Sequence, residues 1–177
     1  MDLYAKDGAM TPPVLITRRL TLRPVSPDDA DAIVTGLRDW DVVQWLTAPP
    51  FPYSRDDAVH FIDKIIPQTS TWAIDAGEGL IGVISVKPDL GYWLNMSFHG
   101  QHIMTEATHA VVAWYFNQTE SDLVSGHIKG NAASRKVLQK CGFIDGPIRD
   151  DTHTATNDQV EVQTMTLTKA AWLRQNV

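Results

Sequence analysis

The change of hydrophobic period along this chain restricts its fold more than any other feature. Around Thr71 a helical spacing of apolar residues gives way to three short β-rich runs, TWAID, LIGVISV and LGYWL, separated by the turn-forming AGEG and KPD. From about Gln101 the helical spacing returns, with Ile103, Ala107, Ala110, Val111 and Trp114 on one stripe that extends to Asn117. An antiparallel meander running straight into a long helix is therefore predicted.

The flanks of that meander are also legible. RLTLRP alternates Leu20 and Leu22 with Thr21 and Arg23 and reads as a strand. SPDDADAIVTGLRD offers Ser26 as a helix cap, Pro27 at the first helical position and two early acids, with Ala30, Ile33, Val34 and Leu37 on one face. A second helix begins at Ser54, with Asp57 three residues on, carries Ala58, Phe61, Ile62 and Ile65, and stops at Pro67. WDVVQWLTAPPFPY lies between the two, aromatic and proline-rich, and suits either core padding or the wall of a substrate pocket. Beyond the long helix, LVSGHIK reads as a strand, NAASRKVLQKCG as a helix with Asn131 as cap and Gly142 as terminator, and VEVQTMTLT as the last strand. The result is a mixed α+β domain without repeats.

The chain has 177 residues, which one core can organise. Residues 1–13 are polar, end in Pro-Pro and are expected to form a flexible arm, leaving 14–177 as a single domain. A formal net charge of −6 argues against a nucleic-acid partner and would welcome a cationic substrate. No apolar run is long enough to span a bilayer, and MDLYAKDGAMTPP lacks the basic-then-apolar order of a signal peptide, so a cytoplasmic protein without a membrane partner is expected. Cys141, the single cysteine, fits a small buried hydrophobe. His60, His109 and His127 fall on regular elements without metal-ligand spacing, so no metal is implied.

Chemistry concentrates in FHGQHIMTEA, residues 98–107. A strand entering a short loop and then a helix gathers unpaired N–H groups and the positive end of the helix dipole at one spot, where phosphates bind. Further on comes GNAASRKVLQKCGF. Together with LITRRLTLRPVSPDDA at the front and LGYWL on the strand before the loop, the chain resembles the GNAT superfamily of acetyl-CoA-dependent N-acetyltransferases over roughly residues 14–168. Within it, the likeness is greatest to the branch that acetylates ribosomal-protein N-termini.

That resemblance implies the GNAT (acyl-CoA N-acyltransferase) fold, a mixed, mostly antiparallel sheet flanked by helices that splays after the strand ending near Leu94. Acetyl-CoA would lie in the cleft as co-substrate. Its cofactor contacts would be Leu94, His99, Gly100, Gln101, His102, Ile103, Met104 and Thr105, with Asn131 from the late helix. Family members usually place Arg or Gln, Gly, and Gly or Ala where this chain has His99, His102 and Met104. His102 is the serious departure, because a non-glycine residue resists positive φ and its imidazole could crowd the phosphates. It could equally point away or donate an N–H to the pyrophosphate. Glu106 suits a structural acid near the helix start.

Many superfamily members protonate the departing thiolate with a late-helix tyrosine, a position held here by Leu138. The ribosomal-protein branch instead carries Asn, two residues, then Ser, matched by Asn131 and Ser134. Ser134 is thus the candidate acid, although its hydroxyl could simply bond its own backbone. For the base, that branch has a Glu about ten residues after the Gly-Phe that closes the late helix, a place that the resemblance matches, counting from Gly142-Phe143, to His153, flanked by Asp150 and Asp151; it is the candidate base or a solvated loop histidine. Tyr92 and Trp93 alternate, so one should face the cleft and the other the core, with Trp93 assigned to the core.

The acceptor implied is a primary amine, on a protein N-terminus or a small molecule, and the assembly a monomer or homodimer. An α-amine near pKa 7.7–8 is about a tenth neutral at pH 7, whereas a lysine near 10.4 costs about 4.6 kcal/mol to deprotonate. The pocket walls should come from segments 39–53 and 145–159. The rival is a GNAT-fold binding module that has lost catalysis and binds acetyl-CoA weakly or not at all.

Overall fold

The computed structural model describes residues 11–86 and 88–175. Eight strands form one sheet in the order β1-β2-β3-β4-β5-β6-β8-β7, where β1 is Leu15–Ile16, β2 Thr21–Pro24, β3 Ser70–Asp75, β4 Leu80–Val86, β5 Leu90–Leu94, β6 Leu123–Ile128, β7 Ile144–His153 and β8 Asp158–Leu167. All neighbours run antiparallel except β5 and β6. The expected α+β architecture is thus observed, a mixed, mostly antiparallel sheet with helices on both faces.

Strand alternation assigns those faces. Trp72 and Ile74 point one way from β3, toward a core that includes Val111, Val112 and Phe116 of α4 (Ile103–Gln118), and Leu138 of α5 (Ala132–Lys140). Ala73 points the other way, toward Ile33 and Leu37 of α1 (Ala30–Leu37), Val43 of α2 (Trp40–Val43) and Ala58 of α3 (Arg55–His60). The same alternation puts Leu90, Tyr92 and Leu94 toward α4 and α5, and Trp93 toward α1. Trp93, half-buried, packs against the α1 side of the core and also reaches the cleft described below: a Cβ at Gly36 would lie 2.4 Å from its ring, so only glycine lets α1 approach that closely.

The helix ends follow their sequence cues. The Asp29 carboxylate accepts from the backbone N–H of Ser26 (2.8 Å), and Asp57 does the same for Ser54 (2.8 Å). The expected second helix is less regular than its spacing suggested. After α3 it widens into a π-turn over Phe61–Ile65, and the Ile66 N–H reaches back to Phe61 O. Pro67 cannot donate, and its ring would strike the carbonyl four residues back; the widened turn accommodates it. Ile65 consequently faces solvent, at 41% exposure, rather than the core.

Two segments depart from the sequence reading. Residues 144–153, most of them in the 145–159 segment expected to wall the pocket, form the edge strand β7, with a register shift between Asp145 and Ile148 where Pro147 sits, and none of residues 145–159 lines the cleft described below. Both faces of this strand are largely solvated, so it shows no apolar alternation. The C-terminal Lys169–Gln175 forms a helix, α6, whose Trp172 stacks on Phe116 (5.4 Å between centroids). Most of the expected N-terminal arm lies outside the described residues. Its last part is docked: Pro12 is buried and the Pro13 carbonyl accepts from the Trp72 indole (2.7 Å).

Candidate active site

The sheet opens at one place. β5 and β6 pair only at Leu90 and Ser125, where the Ser125 hydroxyl also donates to Leu90 O (2.8 Å). Beyond that rung the strands diverge. Parity turns the backbone groups of Tyr92 and Leu94 toward the open edge, since Leu90 faces β6 and Trp93 faces β4. The splay therefore begins at the first residue of β5 rather than after its end. A cleft of about 590 Å³ lies there, within the usual size of small-molecule sites.

One end of the cleft is the β5–α4 loop. Gly100 adopts φ +75, a conformation L side chains resist, although open space surrounds the position a Cβ would take. His102 also sits in the left-handed region, at φ 60, and serves as the N-cap of α4 without a side-chain cap bond. The backbone thus keeps the bend that glycine usually provides, at a cost of about 1 kcal/mol. The first helical hydrogen bond runs from Glu106 N–H to His102 O (3.1 Å), which leaves the N–H groups of Ile103, Met104 and Thr105 without intrahelical partners.

The His102 ring does not stand free in front of those amides. Its Nδ1 accepts from Lys140 Nζ (3.1 Å), which places the ring proton on Nε2. Lys136, one turn earlier on α5, lines the same cleft. The two lysines were not singled out in the sequence, although their spacing of four along the polar face of α5 is a readable signal. An uncapped helix start, two ammonium groups and an open strand edge fit an elongated anionic ligand such as a coenzyme A thioester.

Arg19 and Glu106 brace this end from behind. The Glu106 carboxylate accepts from Thr17 Oγ1 (2.6 Å), Arg19 N–H (2.9 Å) and Arg19 Nε (2.7 Å), while Arg19 also donates to Gln101 O (3.0 Å). Burial alone would raise the Glu106 pKa, but the hydrogen bonds from Thr17 and Arg19 outweigh it and hold the carboxyl below its ordinary value. Glu106 is the structural acid its position suggested.

The other end of the cleft is built from α5, β5 and α2. Asn131 caps α5 by accepting from Ser134 N–H (3.0 Å), as expected, and both residues line the cleft. The Ser134 hydroxyl meets the Tyr92 phenol at 2.9 Å. Desolvation is the main reason the phenol's pKa lies above its ordinary value, so Tyr92 stays protonated. Trp45, Asp41 and Met96 complete the wall, which gives the 39–53 segment the pocket role rather than that of padding alone.

Leu94, His99, Gly100, His102, Ile103, Met104 and Thr105 all line the cleft. His99 is turned, however: its Nε2 meets Leu94 O at 2.9 Å, so the ring closes the end of β5. Gln101 is not part of the lining, and its amide donates to Ser97 O (3.0 Å). His153 is also absent from the lining. It ends β7, is 3% exposed, and packs 6.0 Å from the Trp40 ring. With Thr154 N–H donating to Thr47 O (2.9 Å), the hairpin tip supports the aromatic wall from outside. Cys141 is buried, and desolvation pushes its thiol up to about 12, in keeping with a small hydrophobe.

Comparison with known proteins agrees with this geometry. Residues 19–144 match the family described as Acetyltransferase (GNAT) domain. A Bacillus subtilis (strain 168) protein, YdaF, named as a candidate ribosomal N-acetyltransferase, is 27% identical over 156 aligned positions that cover 76% of this chain and 84% of that one. Two solved structures share the fold. The ribosomal L7/L12 α-N-protein acetyltransferase RimL, in complex with coenzyme A, superimposes with a TM-score of 0.77 at 21% identity, covering 90% of this chain and 99% of that one. The microcin C7 self-immunity acetyltransferase MccE, in complex with acetyl-CoA and AMP, gives 0.76 at 18% identity, covering 86% and 93%.

Proposed function

This chain belongs to the acetyltransferase (GNAT) family, with acetyl-CoA as co-substrate, and from that premise we propose that it acetylates a primary amine, above all the α-amine of a protein N-terminus. The observation that carries this reading is the convergence, on one splayed strand edge, of an uncapped helix start and the Ser134 hydroxyl. The co-substrate supplies an activated acetyl thioester, whose transfer to the amine leaves a free thiol.

The roles of the chain's own groups follow from their places. The N–H groups of residues 103–105 and the ammonium groups of Lys136 and Lys140 suit the diphosphate. The backbone N–H of Leu94, on the open edge of β5, can donate to a carbonyl oxygen on which charge develops. Ser134 is the proton donor to the departing sulfur, held in place by the Asn131 cap.

Both cleft-lining histidines have a ring nitrogen engaged, His99 by Leu94 O and His102 by Lys140. An acceptor that is already partly neutral at pH 7 suits such a site. An α-amine meets that condition at a cost of about 1 to 1.4 kcal/mol, where lysine would cost about 4.6 kcal/mol. The likeness to YdaF and RimL supports a protein N-terminus in particular. Asp41, at the acceptor end, offers a carboxylate to the incoming ammonium form.

A panel of acceptors read by thiol release tests the proposal. Peptides with a free N-terminus should turn over on the order of 100-fold faster at pH 7 than N-blocked peptides bearing only lysine. A polyamine or aminoglycoside turned over faster than every peptide would remove the protein N-terminus as acceptor.

A further inference from the structure

Tyr92 lies in the LGYWL strand and has been given no role so far, yet its phenol is in direct contact with the Ser134 hydroxyl. It projects from β5 on the same face as Leu90 and Leu94, into the angle between strand and α5. Its oxygen lies 2.9 Å from Ser134 Oγ, a contact in which either hydroxyl can donate, and 3.3 Å from the Ser134 backbone carbonyl, a more distant acceptor for the same phenol proton. Leu138, one turn beyond Ser134 on α5, is fully buried against the core and offers no polar group. The phenol that reaches this part of the cleft comes from the strand.

We propose that Tyr92 is the positioning residue for the sulfur-side proton donor, donating its O–H to Ser134 Oγ so that the serine proton is directed into the cleft. A serine in the first turn of a helix otherwise has a competing use for its proton, which is to bond a backbone carbonyl of its own helix. A donor arriving at its oxygen selects the rotamer, and the capped Ser134 N–H fixes the backbone behind it. The phenol holds its proton throughout, because desolvation disfavours the phenolate. The proton count closes, since the amine loses one proton as the sulfur gains one and neither hydroxyl ends the cycle charged. This inference rests on the reading of Ser134 as donor.

The first test needs neither co-substrate nor turnover. Ser134→Cys puts a titratable thiol beside the phenol, and its thiolate absorbance can be followed in the free protein; Cys141, pushed up to about 12, stays silent in that window. If Tyr92 donates to the side chain at 134, adding Tyr92→Phe should raise the titration midpoint by about one pH unit, the size expected for loss of a hydrogen bond to a charged group. An unchanged midpoint would overturn the proposal.

Kinetics supply the second arm. Tyr92→Phe keeps the ring in the core, and should lower kcat about tenfold with KM for acetyl-CoA within twofold. In the Ser134→Ala background the same change should cost nothing further. Losses that multiply would mean that Tyr92 acts independently of Ser134. Normal kcat in Ser134→Ala alone removes the donor reading itself, a failure that the thiol titration tells apart from failure of the positioning role.

Discussion

The two ends of the cleft use different parts of the chain for their work. At the phosphate end the useful groups are main-chain amides, whose direction is set by two left-handed residues, Gly100 and His102, and whose charge environment is set by Lys136 and Lys140. At the sulfur end the useful groups are side-chain hydroxyls, positioned by a strand and by a helix cap. Backbone donors tolerate substitution wherever the φ angle survives. A hydroxyl does not survive truncation. Changes at the first end should therefore appear in affinity, and changes at the second in turnover.

The sharpest way to break that contrast is Ser134→Ala. It should lower kcat by about 100-fold, or about 2.7 kcal/mol, with acetyl-CoA affinity by calorimetry almost unchanged. A large loss of affinity would merge the two ends into one. Lys140→Ala should do the converse, weakening acetyl-CoA binding about tenfold while leaving kcat at saturation within twofold, and the effect should shrink as salt rises.

Glu106 sharpens the contrast through stability. Its folded-state pKa is lowered, so its contribution is present above the unfolded value near 4.5 and is lost as pH falls through the folded value. Glu106→Gln should therefore flatten the fall in Tm below about pH 4.5. The check is thermal unfolding followed from pH 7 down to pH 3. The smallest effect belongs to His102→Gly. Relief of the left-handed cost, partly offset by chain entropy, should stabilise by about 0.5 kcal/mol, or about 1 to 2 °C in Tm. A loss of acetyl-CoA affinity greater than threefold in this variant would make the imidazole a ligand rather than a substitute for glycine.

What was legible in the sequence follows burial. The meander, α4 and α5 each bury a face, so their apolar spacing announced them, and caps such as Ser54 and Asn131 marked the ends. β7 buries almost nothing except at His153, and an edge strand wet on both faces leaves no periodic trace. α2 is a single turn, Trp40–Val43, too short for a helical stripe to show. Within the site, the strand–loop–helix and the Asn131 cap could be read from local spacing, whereas the pairing of Asn131 with Ser134 as site residues came from the family resemblance. His153 could not, because its place depends on how far a hairpin folds back onto Trp40. Tyr92 lay between the two cases: alternation put it opposite Trp93, but only the approach of α5 reveals what it touches.

The lone rung between Leu90 and Ser125 has a mechanical consequence. Each wing of the sheet has a ladder of its own, yet strand to strand the wings share one fastening and one hydroxyl clip at the apex of a wedge. With so little holding strand to strand, the angle of the wedge is set by the core that both wings share with α4 and α5, and the width of the slot answers to how those helices pack rather than to the ladder.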